Sequence, residues 1–256
     1  MNNLMNAIKA EVIKLASLRS TILYTVLLTG SLYGPQVLSA VFAGEDSVET
    51  WGSIFTTSSF IFAIIAAVFS ASSVGGDISS GLNAHAFLTQ QKRWQWLCAK
   101  AVTGFTFLTL NLLLGVALSL LVIWIAPNVR FADRGYGEAL AAILPIVLMW
   151  AASFGFSALF RSLVSGMTIT LVYYMVIESL LFTAAVYIEA LHPLAKVLAI
   201  PRTQDIAAYV DNFAAVEPGW SVDSPAPLWY NIVVLAAYIV IPLVLGLIRN
   251  QKSDVK

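Results

Sequence analysis

Six long apolar runs, separated by segments whose basic residues gather on alternate sides, constrain this chain more than any other feature. The runs at 20–43, 54–74, 98–126, 139–160, 166–188 and 228–248 each approach or exceed the roughly 20 apolar residues that cross a bilayer as a helix. Lys9, Lys14, Arg19, Lys92, Arg93, Lys100, Arg161, Arg249, Lys252 and Lys256 lie before the first run, after the second, after the fourth and after the sixth. The remaining segments hold Arg130, Arg134, Lys196 and Arg202. Basic residues stay on the cytoplasmic side of a membrane, so both termini are expected in the cytoplasm and the chain in the cell membrane. The expected fold class is all-α: a single transmembrane domain over 1–256 with six spans.

Composition agrees with this reading. Hydrophobic residues make up 59% of the chain and charged residues 11%, against roughly 45–50% and about 25% in soluble domains. The formal net charge is zero, but the charges are divided. Most of the acids (Glu45, Asp46, Glu49, Asp133, Glu138, Glu189, Asp205, Asp211, Glu217 and Asp223) fall on the expected outer side. Such a face repels nucleic acid, so no nucleic-acid partner is expected. Cys98 is the single cysteine, which excludes an intrachain disulfide and a cysteine metal cluster. His85 and His192 fall on opposite sides of the expected membrane, so no metal site is expected. The start of the chain is polar and charged rather than a cleavable leader, and the first span is expected to remain as an anchor.

Residues 1–19 precede the first span. Within them, Leu4, Ile8, Val12, Leu15 and Leu18 recur at spacings of three and four, which predicts an amphipathic helix over 3–19. Such a helix lies in the membrane interface, with Lys9, Lys14 and Arg19 reaching toward head groups. The alternative is a plain cytosolic extension of the first span. Gly30 and Gly34 in that span are four residues apart, a spacing that permits close helix approach and a dimer contact.

Residues 75–97 form the longest expected cytoplasmic segment between spans. Gly75, Gly76 and Gly81 are expected to break the helix around Asp77. The stretch Gln90–Arg93 is polar and basic, and Trp94 and Trp96 mark the return to the interface. This patterning points to a docking surface. Pro145 interrupts the fourth span, and neighbouring helices or Ser153 are expected to satisfy the carbonyl it frees. Residues 189–227 carry five prolines and two helical patterns, about 194–200 and 203–213, with Thr203 as the N-cap of the second. Ile206, Tyr209, Val210 and Phe213 share one face, so this segment reads as an outer lid of short interfacial helices. Glu178 is the one ionisable residue well inside a run. A carboxylate at that depth faces a bundle interior or a wet cavity, so it either lines a substrate path or makes a structural hydrogen bond.

No P-loop, no H-E-x-x-H and no G-x-S-x-G motif occurs. The chain is therefore expected to be no enzyme and to bind no cofactor. One intramembrane carboxylate is too few for a proton relay. A spanning protein with a patterned inner loop and no energy source of its own points to a motor supplied by a partner.

With these residues in view, the chain resembles a permease subunit of the ABC-2 type exporter family. Permeases of that family begin with an elbow helix similar to AEVIKLASLRST at 10–21. The loop between their second and third spans carries an acid, a glycine, a basic stretch and a lysine, matched here by Asp77, Gly81, Lys92-Arg93 and Lys100. Glu178 matches a glutamate late in the fifth span. Many relatives carry Glu followed closely by a base where this chain has Asp77-Ile78-Ser79-Ser80.

The resemblance implies a dimer with a second permease copy or paralogue, set in membrane lipid and paired with cytoplasmic ATPase subunits that bind ATP and Mg. It implies that Asp77, Gly81, Lys92, Arg93, Lys9 and Lys14 couple to the ATPase. The cargo would be an amphipathic drug, peptide or lipid, moved along a path lined by the first, second and fifth spans. Two alternatives stand beside it: an accessory immunity or sensor protein without transport, and a membrane-embedded enzyme acting on lipid.

Overall fold

The computed structural model describes residues 2–42, 47–82, 93–212, 216–219 and 224–252. Ten helices, numbered in chain order, carry the architecture among these residues. They are α1 (Asn2–Ser17), α2 (Arg19–Phe42), α3 (Trp51–Thr56), α4 (Ser59–Ser79) and α5 (Arg93–Ile125). Then come α6 (Tyr136–Phe160), α7 (Leu163–Tyr187), α8 (His192–Ala195), α9 (Ala199–Asn212) and α10 (Leu228–Lys252). Six of them, α2, α4, α5, α6, α7 and α10, are long and apolar enough to cross a membrane. They match the six expected runs in order.

Helix α6 is the axis of the bundle. More than half of its most apolar window (56%) is buried, against 22–28% for α2, α5, α7 and α10. Helices α4, α7, α9 and α10 all pack against it. Glycine makes the closest of these approaches possible. A Cβ on Gly155 of α6 would overlap the backbone of Pro242 in α10, and one on Gly246 would meet the Gly155 carbonyl. Two serines also cross between spans: Ser153 donates to the Ala67 carbonyl (2.7 Å) and Ser70 to the Trp150 carbonyl (2.9 Å). Ser153 thus joins α6 to α4 rather than satisfying the carbonyl freed by Pro145.

Several local expectations are corrected. The second span does not begin at 54. Thr50 and Ser53 form a capping box that starts the separate helix α3, and α4 begins only at Ser59. Nor does that span end at Gly75-Gly76. The helix runs through both glycines as a π-helical turn, Ser72–Gly76, because a side chain at Gly75 would strike the Leu163 backbone at the start of α7. It stops at Ser79, with Ser80 as its C-cap, and Gly81 then takes a left-handed conformation (φ +74°). A second π turn, Tyr173–Ile177, interrupts α7 immediately before Glu178.

The all-α expectation needs one addition. Ser47–Thr50 and Val129–Ala132 pair as a two-stranded parallel ribbon, with Ser47 opposite Val129 and Thr50 opposite Ala132. Two side-chain clusters support it. Glu49 accepts from Ser39 (2.6 Å) and Ser53 (2.5 Å). Asp133 accepts from Trp51 Nε1 (2.8 Å) and the Tyr136 hydroxyl (2.5 Å), and those two donors hold its carboxyl below the usual carboxylate range.

Candidate functional site

At the end of the bundle rich in basic residues, four charges converge from three helices. Helix α1 is separated from α2 by a break at Leu18, so it folds back along α5. Its inward face is Leu4, Ala7, Ile8, Glu11, Lys14 and Leu15, while Val12 and Leu18 are exposed. The expected apolar face is therefore rotated, and Glu11 and Lys14, one turn apart, occupy it together. Lys14 pairs with Asp77 at the end of α4. Asp77 also pairs with Lys100 of α5 at 2.6 Å, and Lys100 pairs with Glu11 at 3.0 Å. The order is Lys14, Asp77, Lys100, Glu11, so signs alternate and the cluster is neutral.

Lys100 anchors this arrangement. Its side chain is 1% exposed. A buried ammonium is tolerated only when opposite charge and hydrogen-bond acceptors surround it. Two carboxylates do so here, and the ammonium also lies 5.2 Å from the centre of the Trp96 ring. Trp96 is accordingly buried beneath Lys100 rather than placed at the interface. A cavity of about 200 Å³ adjoins the cluster, with Tyr24, Ser72 and Asp77 among its walls.

The other expected coupling residues scatter around this cluster. Lys9 is exposed on α1. Gly81 closes the second span, and Arg93 opens α5, where its carbonyl accepts from Asn250 (3.3 Å). Lys92 lies outside the described residues. Lys14 does not reach toward head groups, because Asp77 holds it. Glu11 is the member that sequence reading missed, although its spacing from Lys14 on one helix face was a usable signal. Gly30 and Gly34 leave open space: a Cβ on either would meet nothing within 4 Å.

At the opposite end, the 189–227 segment forms α8 and α9. Helix α9 starts at Ala199, four residues before the expected cap, and Thr203 sits inside it donating to the Ile200 carbonyl (2.7 Å). Tyr209 is buried and donates to the Ala226 carbonyl (3.1 Å), whereas Val210 is exposed. Phe213 lies outside the described residues. Asp205 accepts from the Ala226 backbone (2.8 Å) and pairs with Arg202 (2.7 Å), which also donates to Asn231 (3.2 Å). Burial draws the Arg202 guanidinium below its ordinary range, and Asp205 opposes that shift.

Glu178 performs the capping expected of Thr203. It is 1% exposed, and its Oε1 accepts from the Ile200 backbone N–H at 2.6 Å, in the first turn of α9. The other oxygen, Oε2, is buried with no partner among the described residues. Glu178 lines a small cavity of about 70 Å³ with Ser179 and Gln204. Gln204 and Ile200 also line a wider cavity of about 610 Å³ between α4, α6, α7 and α9. Tyr174 separates that space from an apolar cleft of about 350 Å³ shared by α6, α7 and α10.

A family model covers residues 20–256, nearly the whole chain from the start of α2. The chain belongs to the family described as Protein of unknown function (DUF2705). No curated protein matches it. The matched region holds Asp77, Lys100 and Glu178, and it begins after Glu11 and Lys14.

Proposed function

We propose that this DUF2705 chain is the membrane-spanning permease subunit of an ATP-driven exporter. It sits in the cell membrane with both termini in the cytoplasm, paired with a second permease and with separate ATPase subunits that bind ATP and Mg. Its cargo is amphipathic or hydrophobic. Asp77, Gly81, Arg93, Lys9 and Lys14 form or flank the surface that receives the motor, together with Lys92.

The observation that carries this reading is the Lys14–Asp77–Lys100–Glu11 cluster. It ties a surface helix to the ends of two spans through charges as well as through the apolar packing of Ala7 and Leu15. A push on α1 is therefore transmitted to α4 and α5 as one unit. The intervening ion pairs are short and directional, so the coupling does not depend on loose side-chain contact. Six apolar spans without a nucleotide-binding motif leave the energy source to another chain.

Affinity purification from the native membrane tests this. A nucleotide-hydrolysing partner is expected to co-purify with the wild-type chain. Its ATPase rate is expected to fall at least severalfold with Asp77→Asn, while the variant chain still inserts. Purification without any ATPase, or an unaltered rate in Asp77→Asn, would overturn the assignment.

A further inference from the structure

The space around Glu178 has a chemistry of its own. The cavity between α4, α6, α7 and α9, at about 610 Å³, falls in the roughly 300–1,000 Å³ range of small-molecule sites. Much of its wall is apolar: Phe60, Ala63, Ala142, Pro145, Met149 and Met175. Its charged wall residue is acidic, Glu138. The adjoining 70 Å³ cavity, which shares Ile200 and Gln204 with it, adds Glu178. Among the described residues, neither wall contains a lysine or an arginine. Arg202 lies two residues from Ile200 but is engaged by Asp205 and Asn231 and lines neither space.

The second observation is the state of the Glu178 carboxylate. One oxygen is used by the Ile200 N–H. The other is buried without a partner among the described residues. An unsatisfied buried carboxylate oxygen is unfavourable by more than an ordinary missing hydrogen bond, and a ligand that supplies a positively charged donor removes that penalty. The π turn Tyr173–Ile177 just before Glu178 fits this picture, since such turns interrupt helices at functional positions.

We propose that one chain by itself binds an amphiphile with a primary ammonium head, the head against Glu178 and Gln204 and the apolar body in the wider cavity. This rests on and narrows the export reading, since it names the cargo chemistry. The binding itself requires no motor, so its failure is distinguishable from failure of the export reading. An anionic amphiphile is disfavoured by Glu138 and Glu178 together, and a neutral alcohol offers the free oxygen only an uncharged, weaker hydrogen bond.

The test uses the full chain in phosphatidylcholine nanodiscs, titrated with dodecylammonium and, separately, with dodecanol, with protein-free discs subtracted. The ammonium probe is expected to bind at least about tenfold tighter than the alcohol, the scale of one charge-assisted hydrogen bond. Glu178→Gln keeps an acceptor for Ile200 and is expected to abolish the preference without lowering the thermal unfolding temperature. Glu138→Gln is expected to weaken ammonium binding by a smaller factor. Competition by added phosphatidylethanolamine assigns the ammonium to a lipid head group, and lack of competition assigns it to a free amphiphile. Equal binding of the two probes by the wild-type chain overturns the proposal whether or not Glu178→Gln folds. So does a preference that survives in Glu178→Gln. Absence of a co-purifying ATPase bears on the export reading alone.

Discussion

Lys100 and Lys14 share a partner, Asp77, but differ in burial. The Lys100 side chain is 1% exposed and the Lys14 side chain 33%. Removing one member of a buried ion pair strands the others and is destabilising by about 3–5 kcal/mol, whereas an exposed pair contributes about 0.2–1 kcal/mol. Lys100→Ala is therefore expected to destabilise the chain several times more than Lys14→Ala, measured by unfolding in mixed micelles. Equal effects would show that the cluster is not the buried unit described. The sequence marked Asp77 and Lys100 by resemblance, and it offered Lys14 both as a cation reaching toward head groups and as a coupling residue. Which acid each lysine meets could not be read there, because Glu11 and Lys100 are 89 positions apart.

At the scale of elements, glycines divide into two kinds that sequence cannot distinguish. Gly155 and Gly246 lie where α6 and α10 touch, and a side chain there would overlap backbone. Gly30 and Gly34 on α2 face open space. Gly155→Val is expected to destabilise the single chain by about 1–3 kcal/mol, the usual effect of overpacking. Gly30→Val is expected to leave that stability unchanged and, on the permease reading, to weaken the dimer. Unfolding curves and cross-linking yields of the two variants check both statements. A Gly30→Val chain that cross-links like the wild type removes α2 from the dimer contact. The Gly75-Gly76 pair carries the same lesson. Its composition reads as a helix stop, yet the helix continues, and the missing side chain at Gly75 admits the start of α7.

For the whole molecule, the alternation of basic and acidic ends organises everything else. The orientation expected from the basic residues is open to direct test. With Cys98 replaced by serine, a single cysteine at position 252 (Lys252→Cys) is expected to react only with reagent on the cytoplasmic side. One at 134 (Arg134→Cys) is expected to react only from outside. Both positions are exposed. Labelling of the two from the same side would overturn the six-span orientation.

Span number, span order and helical class were legible in the linear sequence, because a bilayer selects for local run length and each helix satisfies its own backbone. Pairing was not. The parallel ribbon joins Ser47–Thr50 to Val129–Ala132, Glu178 caps a helix 22 residues on, and the four-charge cluster draws on three helices. These depend on distances of a few ångströms between segments remote in the chain. Only the packing of α4, α7, α9 and α10 around α6 sets those distances.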